Sequence, residues 1–89
     1  ARMSTAERIR QRLAALEPET YTLEDESAQH KGHAGAAGGG GHFRLTLVSP
    51  KFRNLSTLAR HRLVYEAMGE LMQREIHALS ITALTPEEL

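Results

Sequence analysis

The stretch AQHKGHAGAAGGGG, residues 28–41, decides how the middle of this chain folds, because it separates two segments that alternate like strands. It holds six of the seven glycines and two of the five histidines. A segment of this length exceeds a tight hairpin turn, and long loops in small domains are usually functional or disordered. We therefore predict a flexible loop, rich in glycine and histidine, between two antiparallel strands.

On both sides of this loop, apolar and polar residues alternate with the two-residue period of a strand. Residues 21–26 form the weaker pattern, with carboxylates on its polar side. Residues 42–49 form the clearer pattern, which ends at Ser49-Pro50. The alternating apolar residues of the two segments are Tyr21, Leu23, Phe43, Leu45 and Leu47.

Two helices are predicted to flank this pair of strands. Ser4 and Glu7 have the spacing of a capping box, after which apolar residues recur at helical spacing until Pro18 ends the helix. Residues 57–74 carry a wide apolar face, which is typical of a helix that packs against a sheet. Gly69 lies inside this second helix, where glycine costs about 1 kcal/mol relative to alanine, so we expect close packing there.

Residues 76–83 are predicted to form a third strand, in which His77, Leu79 and Ile81 share one side. Because a helix joins the second strand to the third, these two strands should be parallel, with a right-handed crossover. Thr85-Pro86 then begins a short last helical turn. The sequence thus predicts an α+β fold in the order α-β-β-α-β-(α), with a three-stranded mixed sheet and helices packed on one face.

The overall composition limits the function. The 89 residues suffice for one domain, which we assign to residues 3–89, with Ala1 and Arg2 interpreted as additions before a natural start at Met3. Without cysteine, the chain has no disulfide, no thiolate nucleophile and no cysteine-ligated metal site of its own. No apolar run has the length of a membrane span and no secretory leader is recognised, so we expect a cytoplasmic protein. No nucleophile constellation is present, and we predict neither enzymatic activity nor a small-molecule substrate.

Basic residues cluster between the second strand and the first turns of the second helix, although the net charge is zero. They are Lys51, Arg53, Arg60, His61 and Arg62. Such a cluster has the composition of a phosphate footprint on DNA. A solvated helix face or a patch for an acidic protein explains it equally well, since no aromatic residues are interleaved for base stacking. The phrase GHAG, residues 32–35, matches the G-x-x-G clamp of KH domains, but it lies between strands rather than helices, so we interpret it as a coincidence.

Three histidines are candidate metal ligands. His30 and His33 are close enough in sequence to face one ion, and His77 lies where the second helix gives way to the third strand. Imidazole suits zinc, copper and iron, but a closed site needs about four ligands. Any such site is therefore incomplete without a partner. From spacing alone, solvated loop histidines and a His77 that caps a helix C-terminus are the favoured interpretations.

Several phrases taken together resemble the BolA-like proteins. They are DES at residues 25–27 followed by His30, GHAG at 32–35, HFR at 42–44, RHRLVY at 60–65, IHAL at 76–79 and TPEE at 85–88. RHRLVY and HAL are the most specific, and the phrases follow the order of the family. One departure is Asn54, which stands where the family usually has glycine in its central turn. Asparagine tolerates left-handed geometry, so the turn can form, but a role for it in DNA contact is put in question.

The resemblance implies a class II KH-like fold, a partner and a cofactor. Such proteins form a heterodimer with a monothiol glutaredoxin and share a [2Fe–2S] cluster with it and with glutathione, in iron–sulfur trafficking or iron regulation. The family's C-terminal ligand falls on His77 and its loop ligand on His30, with His33 a close rival. No cofactor is expected in the isolated protein. The family's other role, transcriptional regulation through DNA binding, would use residues 51–62.

Overall fold

A computed structural model describes residues 2–27 and 41–89 of the chain. None of the helices in these two ranges is long and apolar enough to cross a membrane. The elements are helix α1 (Thr5–Leu13), which continues into a 3-10 turn (Ala14–Leu16), strands β1 (Thr20–Asp25) and β2 (Gly41–Val48), a 3-10 turn (Pro50–Phe52), helices α2 (Thr57–Met68) and α3 (Leu71–Arg74), strand β3 (Ile76–Leu84) and a last 3-10 turn (Pro86–Glu88).

The three strands form one sheet in the order β1-β2-β3. β1 pairs with β2 antiparallel, and β2 pairs with β3 parallel, which confirms both predictions. The inward residues of the central strand are buried against the helices, whereas the opposite face exposes polar side chains such as Thr22, Arg44 and Ser80. The predicted α+β fold, with helices on one face of a three-stranded mixed sheet, is therefore confirmed.

Helix α1 begins at the predicted capping box. The Ser4 Oγ atom accepts a hydrogen bond from the Glu7 backbone N–H at 3.1 Å, and the Ser4 N–H donates to Glu7 Oε1 at 2.9 Å. Two donors that the helix cannot satisfy by itself are thereby paired. Ile9 and Leu13 then bury one side of α1 in the core, next to α2.

The predicted single helix over residues 57–74 is wrong, because it is interrupted at Gly69. This residue ends α2 with φ of +56°, and its N–H donates to the Tyr65 carbonyl at 3.0 Å. A Cβ atom there would lie 2.9 Å from Nη1 of Arg12, the same nitrogen that donates to the Met68 carbonyl. The close packing expected around Gly69 is thus present. The glycine, however, caps one helix and separates it from α3, because a left-handed φ favours glycine.

A β-bulge interrupts the start of β3. Gly41 of β2 pairs with Ile76, and the next residue, His42, pairs with Ala78, so His77 is the extra residue. As a consequence, Ile76 turns inward and is 3% exposed, while His77 is exposed. The predicted alternation that placed His77 on the side of Leu79 is therefore wrong at this one position, because a bulge breaks the two-residue period of a strand.

Candidate functional site

The bulge brings two histidines together at one edge of the sheet. His42 is the second residue of β2, and His77 is the second residue of the neighbouring β3. Their ring centroids are 5.0 Å apart, and their planes are tilted by 30°. The His77 side chain is exposed, and His42 is half-buried. The structure therefore places the predicted ligand His77 on an accessible strand end, and it does not cap a helix.

The two ends of the stretch that joins β1 to β2 are fixed beside this histidine pair. The His42 backbone N–H donates to Ser27 Oγ at 3.1 Å, and the His42 carbonyl accepts from the Glu26 N–H at 2.7 Å. Hydrogen bonds from the Ser27 hydroxyl and backbone N–H lower the pKa of Asp25, which keeps that carboxylate ionised. Gly41 N–H donates to the Glu75 carbonyl at 2.8 Å. Ser27 and Gly41, the two described residues that border residues 28–40, thus lie near His77.

The predicted loop ligands, His30 and His33, lie outside the described residues, as does the GHAG phrase. His42 was missed by sequence reasoning. Its signal was weak, because only the bulge register sets it next to His77. Within residues 2–27 and 41–89, no group of three or more His, Cys, Asp or Glu side chains is arranged to hold a metal ion.

The predicted basic cluster is divided by the structure. Arg53 pairs with Glu87 through two hydrogen bonds, from Nε at 2.9 Å and from Nη2 at 2.6 Å. Glu87 belongs to the last turn, which packs back towards the start of α2. The Arg53 guanidinium lowers the pKa of Glu87, so this pair persists into the acid range. Arg53 therefore has its guanidinium directed at a carboxylate of its own chain.

Arg60 is the most highly connected of the basic residues, and its side chain is 13% exposed. Its guanidinium donates to the carbonyls of Leu55 and Ala83, each at 3.0 Å, and to both carboxylate oxygens of Glu88, at 2.6 and 3.2 Å. The Arg60 guanidinium, together with the Thr85 N–H, lowers the pKa of Glu88 to about 2. Arg60 thus joins the turn before α2, the end of β3 and the last turn.

The other predicted phosphate contacts are not used in ion pairs with described residues. Lys51 and Arg62 are exposed and form no ion pair with any residue in the described ranges, and His61 is half-buried on α2. Two arginines of the predicted footprint are therefore neutralised internally, and two cations remain accessible. This arrangement leaves little net positive charge for a polyanion.

Comparisons with known proteins agree with the fold. The family profile described as "BolA-like protein" matches residues 13–88. BolA-like protein 1 of Mus musculus is 47% identical over 74 residues, which cover 83% of this chain and 52% of that protein. The DNA-binding transcriptional regulator BolA of Haemophilus influenzae is 32% identical over 87 residues, which cover 97% and 82%. The solved BolA domain of SufE1 from Arabidopsis thaliana matches with a TM-score of 0.83 and 40% identity, covering 100% of both chains.

The match takes in the sheet and the main helix but not the whole length of every relative. The chain spans 52% of the mouse protein and 24% of SufE-like protein 1 from Arabidopsis thaliana. The profile match reaches from the last residue of α1 to the final turn, so it includes all three strands, α2 and the histidine pair. On this evidence, the chain belongs to the BolA-like protein family.

Proposed function

We propose that this protein is an adaptor that binds a monothiol glutaredoxin and supplies histidine ligands to a shared [2Fe–2S] cluster, in iron–sulfur trafficking or iron regulation. The observation that carries the proposal is the exposed imidazole of His77, turned outward by the bulge beside His42. An accessible ring on a paired strand can meet a partner with little rearrangement, which lowers the cost of binding. No catalytic step is assigned to this chain.

The donor set of this chain fits a shared cluster. The chain has no cysteine, and thiolates from glutaredoxin and glutathione would ligate one part of the cluster. Imidazole can replace thiolate on one iron, as in Rieske centres, and this replacement raises the reduction potential. A chain that contributes two imidazoles needs no closed site of its own. The proposal places the protein in the cytoplasm, where a glutathione pool keeps such thiols reduced.

The second ligand in this proposal is His30, with His33 as the alternative. Ser27 is hydrogen-bonded to His42. His30 is three residues beyond Ser27, and three extended residues span about 10 Å, so chain connectivity keeps it within reach of His77. His33 is six residues away and therefore has roughly twice that range. Chain length therefore allows either histidine, and the preference for His30 follows from the family resemblance, in which the loop ligand falls on His30.

The test is a titration of the protein into a cluster-loaded monothiol glutaredoxin, followed by visible circular dichroism under anaerobic conditions. We expect a new spectrum with the natural sequence and its loss with His77→Ala. His30→Ala and His33→Ala should separate the two loop candidates. His61→Ala is the matched control, because His61 lies on α2 and should leave the spectrum intact. The proposal is wrong if the natural protein leaves the spectrum unchanged, or if His77→Ala produces the same new spectrum as the natural protein.

A second candidate function is DNA-binding transcriptional regulation, which is supported by the name of the Haemophilus influenzae relative. In this chain the accessible cations of the basic cluster are Lys51 and Arg62. If each contacts a phosphate, replacing either with alanine should reduce the salt slope of duplex binding by about one. A salt titration that shows the same slope for Lys51→Ala, Arg62→Ala and the natural sequence would count against a DNA interface here.

A further inference from the structure

We infer that His42 is a positioning residue that holds the His77 ring in the orientation needed for ligation. This inference rests on the proposed function of His77. The centroid separation of 5.0 Å lies within the usual range of aromatic pairs, about 4.5–7 Å. The ring planes are tilted by 30°. His42 is therefore in contact with the exposed His77 imidazole and restricts the orientations that this ring can adopt.

His42 is well held, which suits it to act as a support. Its backbone N–H and carbonyl are both hydrogen-bonded, to Ser27 Oγ and to the Glu26 N–H. The next residue, Phe43, is 3% exposed, and Gly41 packs so close to the Phe43 ring that an added Cβ would lie 2.3 Å from it. Tight packing on both sides of His42 fixes its backbone in the sheet.

His77 is less constrained by its own strand. It is the extra residue of the bulge, so it has no Cα partner on β2, whereas Ile76 and Ala78 on either side are paired. A bulged residue leaves the regular ladder, and its side-chain direction depends on local contacts. In the described part of the chain, the aromatic ring that contacts the His77 ring is that of His42. Removing it should therefore increase the number of orientations that His77 adopts.

The experiment compares His42→Ala, which removes the ring, with His42→Phe, which keeps a stacking surface without a nitrogen. The first measurement uses the isolated protein: long-range ¹⁵N–¹H spectra and side-chain couplings of His77 report its ring environment and χ1 populations. We expect averaged couplings with His42→Ala and a defined rotamer with His42→Phe. His42→Leu provides a bulky, non-aromatic variant should the alanine variant fail to fold, as judged by far-ultraviolet circular dichroism.

The second measurement is the affinity for cluster-loaded monothiol glutaredoxin. An aromatic pair contributes about 0.5–1.5 kcal/mol, so His42→Ala should weaken binding by about 2- to 10-fold, and His42→Phe should restore it. A phenylalanine variant that loses the cluster spectrum as completely as His77→Ala would make His42 a ligand and overturn the inference. An alanine variant that keeps both the rotamer and the affinity would also overturn it. Either result leaves the proposed function standing, which fails if the natural protein leaves the cluster spectrum unchanged or if His77→Ala has no effect.

Discussion

The two ends of β3 carry the candidate ligand His77 and Arg60, an arginine of the predicted basic cluster, and they differ in how these side chains are satisfied. At the start of the strand, His77 leaves the ladder at a bulge and exposes its ring beside His42. At the end of the strand, Arg60 donates to the Ala83 carbonyl and to Glu88, and it is largely covered. Both ends have nitrogen-rich side chains, but only the first presents them outward.

This difference teaches that a basic sequence cluster is not by itself a binding surface. Guanidinium groups that already pair with carboxylates must break those pairs before they contact phosphate. An edge strand also needs protection against pairing with other chains, and Arg60 provides it at Ala83 by occupying a carbonyl on the strand edge. We therefore interpret the end of β3 as a structural junction and its start as the functional end.

Gly41→Ala, at the functional end, is expected to cause the largest loss of stability in this comparison. A Cβ on Gly41 would lie 2.3 Å from Cε2 of Phe43, whose ring is 3% exposed and has little room to move. Overpacking of this kind costs about 1–3 kcal/mol of unfolding free energy, measurable by urea denaturation.

Two further variants test the cause of that effect. Adding Phe43→Leu should recover part of the loss, because the shorter side chain removes the clashing ring atoms. Ser80→Ala, on the exposed face of the sheet, should change the unfolding free energy by no more than about 0.5 kcal/mol. Equal stability of Gly41→Ala and the natural sequence would show that the Phe43 ring moves aside, and that His42 is held less firmly than we infer.

At the structural end, Arg60→Ala should lower the melting temperature by several degrees. The substitution leaves the carbonyls of Leu55 and Ala83 without their donor and Glu88 without its partner. Arg60→Lys should recover little, because an ammonium group cannot reproduce the planar fork that reaches three acceptors. The matched control is Arg62→Ala, which removes an exposed arginine on the same helix and should leave the melting curve nearly unchanged. Similar losses for the two variants would contradict the structural interpretation of Arg60.

The acid stability of this junction should depend on Glu88. Its pKa is lowered from 4.5 to about 2 in the folded protein, first by the hydrogen bond from Arg60 and then by the Thr85 N–H. A carboxyl group with a lowered folded pKa stabilises the fold above its unfolded pKa, and this contribution is lost as the pH falls from about 4.5 to about 2.

Glu88→Gln should therefore flatten the decline of melting temperature over that pH interval. The difference from the natural protein should shrink in high salt, since the pair is partly exposed. Glu24→Gln is the control, because Glu24 is exposed on β1 and forms no ion pair with another described residue. A decline of equal steepness in Glu88→Gln and the natural protein would show that the Arg60–Glu88 pair contributes nothing to acid stability.

The sequence predicted the elements of the fold better than the contacts at the ends of β3. Alternation in residues 42–49 and the connecting helix were enough to set strand directions, because these follow from local periodicity and chain topology. The bulge at His77 depends on register between strands that are more than thirty residues apart, which no local pattern encodes. The pairing of Arg60 with Glu88 likewise follows from the tertiary path of the last turn, although both residues were visible as charges.

The smallest effect is expected at Asn54, next to the structural junction. Its φ of +63° lies in the left-handed region, which asparagine adopts more readily than most residues other than glycine. Asn54→Gly should change the unfolding free energy by no more than about 0.5 kcal/mol, because relief of left-handed strain is offset by the greater freedom of glycine in the unfolded chain. Asn54→Ala should cost about 1 kcal/mol, since alanine lacks the local hydrogen bonding that helps asparagine adopt this geometry. Urea denaturation of the two variants separates backbone strain from side-chain contacts, and an alanine variant as stable as the glycine variant would show that the turn carries no strain.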